Sequence, residues 1–305
     1  MDTNLLSTSF AGLELPNPTI LASGILGYSS ESFSRVVKAG AGAVVTKSVG
    51  IAPRVGYPNP TIVQSRSGLI NAMGLPNPGI ETYVEEIKFS KTILAVPLIV
   101  SIFGYTSEEY AAVSKRAIDA GADAVELNVS CPHVKQTGAE IGQNPKLLSE
   151  IVENVKAKIN KPVIVKLSPN VTDITILAKA SMEAGADGLT VINTLKAIAI
   201  DIETQQPILS NVKGGLSGEA VKPVALRCVY DIAEQYKVPI IGCGGVSNWH
   251  DAVEFFLAGA SAVQIGTAVA DNVEIFGAVT KGVESYLRRK HYANLKEMVG
   301  LAHRK

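Results

Sequence analysis

Chemically reactive side chains end one apolar run of the sequence, at residues 126–133, which read ELNVSCPH. Residues 124–129 have the composition of a short buried strand, and Pro132 cannot donate a ladder hydrogen bond. Cys131 should therefore lie just beyond the carboxyl end of that strand. A lone cysteine is most often a small buried hydrophobe, but the polar neighbours of Cys131 favour a chemical role for its thiol.

Polar side chains and glycines close other apolar runs in the same way. They are Ser23, Lys47, Asn128, Lys166, Asn193, Thr194, Gly244, Gly245, Gly266 and Thr267. A lysine that closes a buried strand either snorkels to solvent or is held for an anion, and the polar company of Lys166 favours an anion. The glycine-containing pairs offer free backbone N–H groups that could cradle a phosphate. The set indicates a phosphorylated cofactor beside a small hydrogen-bonding substrate, without saying which.

A repeated phrase gives the elements that must position these groups. It reads AGAGAVV at 39–45, AGADAV at 120–125, AGADGL at 184–189 and AGASAV at 258–263. In each, a glycine suited to the end of a helix precedes an apolar strand, which is typical of a repeated α/β unit. The complete set of predicted strands is 19–22, 43–46, 98–101, 124–128, 163–167, 188–192, 239–242 and 262–266.

Eight such strands predict an α/β fold, a single (β/α)8 TIM barrel domain over residues 1–305. A doubly wound open sheet is the competing architecture, but the glycines at 242–245 break the dinucleotide-binding spacing. Two segments exceed a minimal barrel, 48–96 after strand 2 and 193–223 after strand 6. Insertions at strand carboxyl ends usually build the wall or lid of an active site, and the glycine-rich second segment is expected to be a mobile loop.

Composition excludes several classes of partner. Lysine plus arginine and aspartate plus glutamate number 28 each, so we expect neither nucleic acid nor anionic lipid to bind. The three cysteines form no C-x-x-C pair, which argues against a disulfide framework, a metal site or an iron–sulfur cluster in this chain. Neither a secretory signal in 1–15 nor a membrane span in 93–103 is predicted, so a cytoplasmic location is expected.

Six motifs occur together and in order. They are NAMGLPNPG at 71–79, NVSCP at 128–132, KLSPN at 166–170, INT at 192–194, GGLSG at 214–218 and GCGGV at 242–246. From about residue 13 to about residue 270 the chain resembles the class 1 dihydroorotate dehydrogenases, most closely the 1B catalytic subunit. Ordered motifs of this kind are far more specific than any single one.

The resemblance implies an FMN enzyme that oxidises dihydroorotate to orotate in de novo pyrimidine biosynthesis. Cys131 would be the catalytic base for the C5 proton while C6 gives a hydride to the flavin, and Lys166 would stabilise negative charge on the reduced flavin. The residues implied for FMN are Ser23, Thr46, Lys47, Asn128, Lys166, Ile192, Gly218, Gly244, Gly245, Gly266 and Thr267. Those implied for the pyrimidine ring and its carboxylate are Lys47, Asn71, Ala72, Met73, Gly74, Leu75, Asn128, Asn193 and Thr194.

Two positions depart from the family pattern. Ser101 stands where many relatives have an asparagine near the flavin, and His133 stands where many bacterial members have asparagine. Neither change removes a catalytic group, although a hydroxyl at Ser101 reaches less far than an amide.

The resemblance also implies a redox partner. The chain has no second redox motif of its own, whereas 1B catalytic subunits pass electrons to an iron–sulfur FAD subunit that reduces NAD. A homodimer core within a heterotetramer is therefore expected. Direct use of a soluble oxidant such as fumarate, as in 1A relatives, is the alternative.

Three other functions remain in competition. A dihydropyrimidine dehydrogenase-like FMN barrel shares the motif around Cys131, but its uracil substrate has no carboxylate to need Lys47 and residues 71–75. A flavin-free lyase or isomerase would use the same glycine pairs for phosphate. A non-catalytic binding module would leave Cys131 beside Asn128 and Lys166 unexplained.

Overall fold

A closed barrel of parallel strands is the centre of the structure, a computed structural model that describes residues 5–129 and 142–304. Within these residues the barrel has eight strands, all paired in parallel. In chain order they are Thr19–Leu21, Ala43–Val45, Leu98–Ile102, Ala124–Asn128, Val163–Leu167, Gly188–Val191, Ile240–Cys243 and Ala262–Ile265. The eighth strand pairs with the first, so the predicted (β/α)8 barrel is confirmed.

Helices follow the barrel strands along the chain. Their bounds are Ser30–Lys38, Ile80–Ile93, Ser107–Asp119, Pro145–Lys158, Ile174–Glu183, Lys222–Gln235, Trp249–Ala258, Ala268–Asp271 and Ile275–Arg289. Asn144, Asp173 and Asn248 cap three of them through their side chains. Among the described helices, none combines the length and the apolar character that crossing a membrane requires.

A hairpin closes the amino-terminal end of the barrel. Its strands Thr8–Phe10 and Leu13–Leu15 pair in antiparallel fashion, and the Phe10 side chain is only 1% exposed. A Cβ at Gly188, on the sixth barrel strand, would lie 2.5 Å from Phe10 Cζ. The absence of a side chain at Gly188 therefore makes room for the Phe10 ring to enter the barrel.

The barrel interior is built in layers because side chains on a strand alternate between its two faces. Strands 1, 3, 5 and 7 each place an isoleucine in the lower interior, and these four residues pack in one cluster with the hairpin: Ile20, Ile99, Ile164 and Ile241. Two residues further along each strand, the same inward face carries Ala22, Ser101, Lys166 and Cys243. The lower interior is thus apolar, and the interior toward the carboxyl ends becomes polar.

The two insertions meet in a second sheet, which we call the canopy. It consists of Ile62–Ser65 and Gly68–Asn71 from the first insertion and Leu195–Ile198 and Lys213–Ser217 from the second. Lys213–Ser217 pairs with both Leu195–Ile198 and Gly68–Asn71, so the canopy joins chain segments far apart in sequence.

The canopy corrects two details of the predicted insertions. The segment expected as a mobile glycine-rich loop contains paired strands, including the short pair Ile200–Asp201 and Gln206–Pro207. The segment 48–96 also includes the ordinary barrel helix Ile80–Ile93, which leaves residues 48–79 as the insertion.

Candidate functional site

A cavity of about 300 Å³ lies between the carboxyl ends of the barrel strands and the canopy. Barrel residues that line it are Ala22, Ser23, Gly24, Ile25, Lys47, Ser48, Ser101, Asn128, Lys166, Ile192, Asn193, Thr194, Cys243, Gly244, Gly245, Gly266 and Thr267. Residues of the canopy and its connections that line it are Ile62, Leu69, Asn71, Met73, Gly74, Leu75, Gly215, Leu216, Ser217, Gly218 and Val221. A concave site at this end of a barrel is where such folds place their chemistry.

Most residues predicted for the site lie at this cavity. Thr46 and Ala72 do not line it. The Thr46 hydroxyl donates to the Lys47 carbonyl and accepts from the Ser101 N–H, because alternation directs Thr46 and Lys47 to opposite faces. Ala72 packs in a small apolar cluster with residues of the canopy and its connections. The predicted catalytic Cys131 lies outside the described residues, three positions after the end of the fourth strand at Asn128.

Lys166 forms the base of the cavity and belongs to a buried polar network. Its Nζ donates to Gln264 Oε1 at 2.9 Å and lies 3.7 Å from Glu126 Oε1. The other Glu126 oxygen, Oε2, accepts from Thr190 Oγ1 at 2.8 Å and from Gln264 Nε2 at 2.5 Å. The network joins strands 4, 5, 6 and 8 directly above the isoleucine layer.

Opposing effects set the protonation of Lys166. Burial by itself would lower its pKa, but attraction to the Cys243 sulfur and to the Glu126 carboxylate outweighs burial, and the pKa of Lys166 is raised. Burial raises the pKa of the Cys243 thiol despite the nearby lysine.

Lys47 is a second cation at the cavity, in a different environment. Its Nζ lies 5.2 Å from the centroid of the Tyr28 ring, within the range of a cation–π contact. Burial lowers the pKa of Lys47 from its usual value of 10.5. No carboxylate of the described residues forms an ion pair with Lys47, so its charge is available to an anionic ligand.

A row of amides and hydroxyls crosses the floor of the cavity. Asn128 Nδ2 donates to Ser48 Oγ at 3.0 Å, and Ser48 Oγ lies 2.9 Å from Ser101 Oγ. Asn193 Nδ2 donates to Asn128 Oδ1 at 3.3 Å. The end of strand 4 is held by the helix Ser107–Asp119, because the Tyr110 hydroxyl donates to the Asn128 carbonyl at 2.9 Å. Such a row can read the donor and acceptor edges of a planar ring.

The residues that follow strands 7 and 8 line the same cavity. In the part of the chain that is described, no hydrogen bond uses the N–H groups of Gly244, Gly245, Gly266 or Thr267. Gly245 has φ +77°, and a Cβ there would lie 2.9 Å from the Gly218 carbonyl oxygen. The chain can therefore approach this closely only with glycine, and it leaves donors free for an anion.

Contacts within the canopy, and between the canopy and the barrel, hold the roof of the cavity. Asn71 Nδ2 donates to the Gly215 carbonyl at 3.4 Å across two canopy strands, and Thr267 Oγ1 donates to Ser217 Oγ at 2.8 Å. The Tyr28 hydroxyl donates to the Pro76 carbonyl, which ties the loop after strand 1 to the loop after the canopy strand Gly68–Asn71.

Sequence reasoning did not assign several of these residues. Ser48, Cys243 and Ser217 line the cavity, and Glu126 and Gln264 support it from below. A signal for Cys243, Glu126 and Gln264 exists in the sequence, because each lies two positions beyond a small or aliphatic residue of the lower interior. Ser217 has no such signal, since the pairing of two distant insertions places it.

The fold and the site together define a class: a (β/α)8 barrel with an anion-binding, amide-lined cavity under a canopy, suited to a phosphorylated cofactor and a small planar substrate. The sequence model of the dihydroorotate dehydrogenase family matches residues 5–287. The chain belongs to the dihydroorotate dehydrogenase family.

Close relatives cover nearly the whole chain. A Methanosarcina mazei protein is 52% identical, over 98% of this chain and 95% of its own length. A Pyrococcus abyssi protein is 53% identical, over 98% of this chain and 99% of its own length. A Thermococcus kodakarensis protein is 54% identical, over 97% of this chain and 98% of its own length. Each relative is named dihydroorotate dehydrogenase B (NAD(+)), catalytic subunit.

Proposed function

We propose that the protein is an FMN-dependent dihydroorotate dehydrogenase that oxidises dihydroorotate to orotate in pyrimidine biosynthesis. The observation that carries this proposal is the cavity itself, which unites the cation of Lys47, the amides of Asn71, Asn128 and Asn193, and the buried cation of Lys166. Orotate offers a carboxylate and imide edges, which are the groups that a lysine and a row of amides recognise.

The described residues fit FMN. The unused N–H groups of Gly244, Gly245, Gly266 and Thr267 are suited to its phosphate, and the raised pKa of Lys166 keeps a cation available for the ring system. Other residues proposed to hold FMN are Ser23, Lys47, Asn128, Ile192 and Gly218, which all line the cavity. Thr46 could take part only through its backbone, because its hydroxyl is engaged with the neighbouring strand. When bound, FMN supplies the two-electron oxidant that accepts hydrogen from C6 of the substrate.

Cys131 is the proposed general base for the C5 proton. Strand 4 ends at Asn128, where the Tyr110 hydroxyl fixes the backbone, so the segment that carries Cys131 begins at the cavity floor. A thiolate takes a proton from carbon more readily where cations favour its charge, and Lys47 and Lys166 supply positive charge in this cavity.

Substrate recognition is proposed for Lys47, Asn71, Met73, Gly74, Leu75, Asn128, Asn193 and Thr194, which all line the cavity. Ala72 does not line the cavity, because its side chain is 1% exposed and packs in the apolar cluster of the canopy. Lys47 is the group proposed to hold the carboxylate. This assignment separates dihydroorotate from dihydrouracil, which lacks that carboxylate.

A flavin extraction and a substrate comparison test the proposal. Denatured protein should release FMN, identified by chromatography against FMN and FAD standards. Under anaerobic conditions dihydroorotate should bleach the flavin absorbance, and dihydrouracil at the same concentration should not. Release of FAD or of no flavin would refute the cofactor assignment. Equal bleaching by both compounds would identify a dihydropyrimidine dehydrogenase instead.

We also propose that an iron–sulfur FAD subunit takes the electrons and reduces NAD, with a homodimer of this chain at the core of a heterotetramer. The support is the printed name of the relatives, NAD(+)-linked catalytic subunits, at about half identity over the full chain. A catalytic subunit that reduces NAD without a dinucleotide-binding fingerprint of its own needs another chain to bind NAD.

A further inference from the structure

Glu126 is a buried acid for which the proposed reaction has no role. Its side chain is fully buried on the fourth strand, one inward position below Asn128. Its Oε2 accepts two hydrogen bonds, whereas Oε1 has no hydrogen-bond partner and lies 3.7 Å from Lys166 Nζ. A carboxylate so far from water needs a compensating charge, and the Lys166 ammonium lies beside it.

The network around Glu126 is oriented for one distribution of charge. Gln264 presents its amide nitrogen to Glu126 and its amide oxygen to Lys166. This orientation satisfies an anionic Glu126 and a cationic Lys166 together, because an amide nitrogen only donates and an amide oxygen only accepts. Thr190 adds a second donor to the Glu126 carboxylate.

Stability alone gives little reason for this arrangement. A buried ion pair is often no more stabilising than apolar residues of similar size, because removing two charges from water costs several kcal/mol per ion. The layer directly below consists of isoleucines and alanines that fill the barrel without any charge. What the pair provides, and an apolar layer could not, is an ammonium group on the floor of the cavity.

We propose that Glu126 is a positioning residue that keeps Lys166 protonated and fixed beneath the cavity. The titratable groups facing Lys166 are Glu126 on strand 4 and Cys243 on strand 7, and Thr190 and Gln264 are its neutral neighbours on strands 6 and 8. Glu126 is the acid of the two that the buried hydrogen-bond network joins to Lys166 through Gln264, so Glu126 is the group proposed to compensate the lysine. The use of this cation against a reduced flavin rests on the proposed function, whereas the charge of Lys166 can be measured without cofactor chemistry or turnover.

Nuclear magnetic resonance of the purified protein, labelled with ¹³C at lysine Cε, tests the proposal. The Lys166 signal is assigned by its loss in Lys166→Arg, and its shift is followed with pH beside that of exposed Lys196. Lys166 should deprotonate at no lower pH than Lys196. In Glu126→Gln, which keeps the shape of the side chain but removes the charge, the midpoint should fall by at least about one pH unit.

The matched control is Thr190→Val, which removes one hydrogen bond to Glu126 but leaves its charge. It should leave the Lys166 midpoint where it is in the unmodified protein. An unchanged midpoint in Glu126→Gln would reduce Glu126 to a structural link and overturn the proposal. If Glu126→Gln does not fold, the unmodified protein still decides, because a Lys166 midpoint below that of Lys196 contradicts the proposal directly.

Turnover gives an independent readout. In Glu126→Gln, kcat should fall as pH rises through the lowered Lys166 midpoint, whereas the unmodified enzyme and Thr190→Val should show no such loss in that range. A failure of dihydroorotate oxidation in the unmodified enzyme would refute the proposed function and leave the magnetic resonance result standing.

Discussion

Two lysines serve the cavity under different constraints. Lys166 is held by hydrogen bonds and a counter-charge, so its position is fixed before any ligand arrives. Lys47 has an aromatic ring as its neighbour, and burial lowers its pKa from 10.5. This difference fits the proposed roles, in which Lys166 lies beside the cofactor and Lys47 holds the substrate carboxylate.

Loss of the Cys131 thiol should stop proton removal without emptying the cavity. We expect Cys131→Ala to bind flavin and orotate but to oxidise dihydroorotate at least ~100-fold more slowly, the usual scale for a lost general base. Cys131→Ser should recover part of the rate only at high pH, because a hydroxyl deprotonates far less readily than a thiol. Single-turnover flavin reduction measures both.

The control for that experiment is Cys228→Ala. Cys228 is buried in the helix Lys222–Gln235, away from the cavity lining, so its loss should leave the rate of flavin reduction unchanged. A rate in Cys131→Ala close to that of the control would remove Cys131 from the mechanism.

Loss of Lys47 should weaken the binding of orotate. We expect Lys47→Ala to cost about 1.5 to 3 kcal/mol of orotate binding, as for a charge-assisted hydrogen bond, while exposed Lys196→Ala costs almost nothing. Titration of flavin absorbance with orotate measures both affinities. An equal loss in the two variants would mean that Lys47 acts only through the overall charge.

The pH dependence of orotate binding follows from the environment of Lys47. Its cationic form binds the carboxylate, and burial lowers its pKa, so affinity should be highest below that lowered pKa and fall as pH rises through it. The fall should be absent in Lys47→Ala. The same titration repeated across pH checks the sign, and a rise of affinity with pH would contradict it.

The sequence allowed most of the cavity floor to be predicted, because parallel strands bring their carboxyl ends to one side. The prediction did not take into account that side chains alternate between the two faces of each strand. Counting two positions from Ile241 reaches Cys243, and counting two from Val45 reaches Lys47 and passes over Thr46. That count would have excluded the Thr46 side chain and included Cys243.

At the scale of elements, the canopy is the part of the site with its own small core. Ile70, Ala72 and Leu209 form a buried cluster separate from the two clusters of the barrel. Tyr57, Val63, Ala197, Ala199 and Leu216 pack against it. A core of this size can loosen while the barrel stays folded, since local stability follows local burial.

Truncation of Leu209 should loosen the canopy alone. We expect Leu209→Ala to cost about 2 kcal/mol locally, the lower range for a buried leucine, and to speed amide hydrogen exchange in residues 62–71 and 195–217. Exchange in the barrel strands should not change. The matched control is Ile198→Ala, a half-exposed residue of the same sheet, and uniform acceleration across the whole chain would contradict a separate canopy.

The canopy could not be predicted from the sequence, for a physical reason. Its central pairing joins Gly68–Asn71 to Lys213–Ser217, and nothing local in either segment specifies the other. The glycine pair at 214 and 215 is typical of a loop sequence. In the structure, however, a Cβ at Gly215 would lie 2.1 Å from Thr194 Oγ1. These glycines serve close approach between segments, which only the folded chain reveals.

At the scale of the whole molecule, a residue that stabilises the fold, Phe10, lies at the amino-terminal end of the barrel, whereas the cavity lies at the carboxyl ends of the strands. Phe10→Ala should lower the free energy of unfolding by about 3 to 5 kcal/mol, as for other buried phenylalanines, while flavin content per folded molecule stays the same. Urea unfolding measures the loss. Phe89→Ala, at a 53% exposed position, is the control, and loss of flavin from folded Phe10→Ala would contradict the separation.

Electron transfer to NAD should need a second chain. The isolated protein should reduce an artificial dye with dihydroorotate and gain NAD reduction only when the proposed iron–sulfur FAD subunit is added. Assays with dye, NAD and fumarate, with and without proteins recovered by affinity pull-down, measure this. Efficient fumarate reduction by the isolated chain, with no flavoprotein recovered, would identify a 1A-type enzyme.

The hairpin at the amino-terminal end also determines from which side small molecules can reach the cavity. Phe10 and the isoleucine layer fill the barrel from below, so in the described part of the chain the way to Lys166 leads from the canopy side. Substrate and product then use the same entrance to the cavity, so orotate must leave before the next dihydroorotate binds. Orotate should accordingly compete with dihydroorotate for the oxidised enzyme. The electrons would pass to an acceptor either through the protein or after orotate has left the cavity.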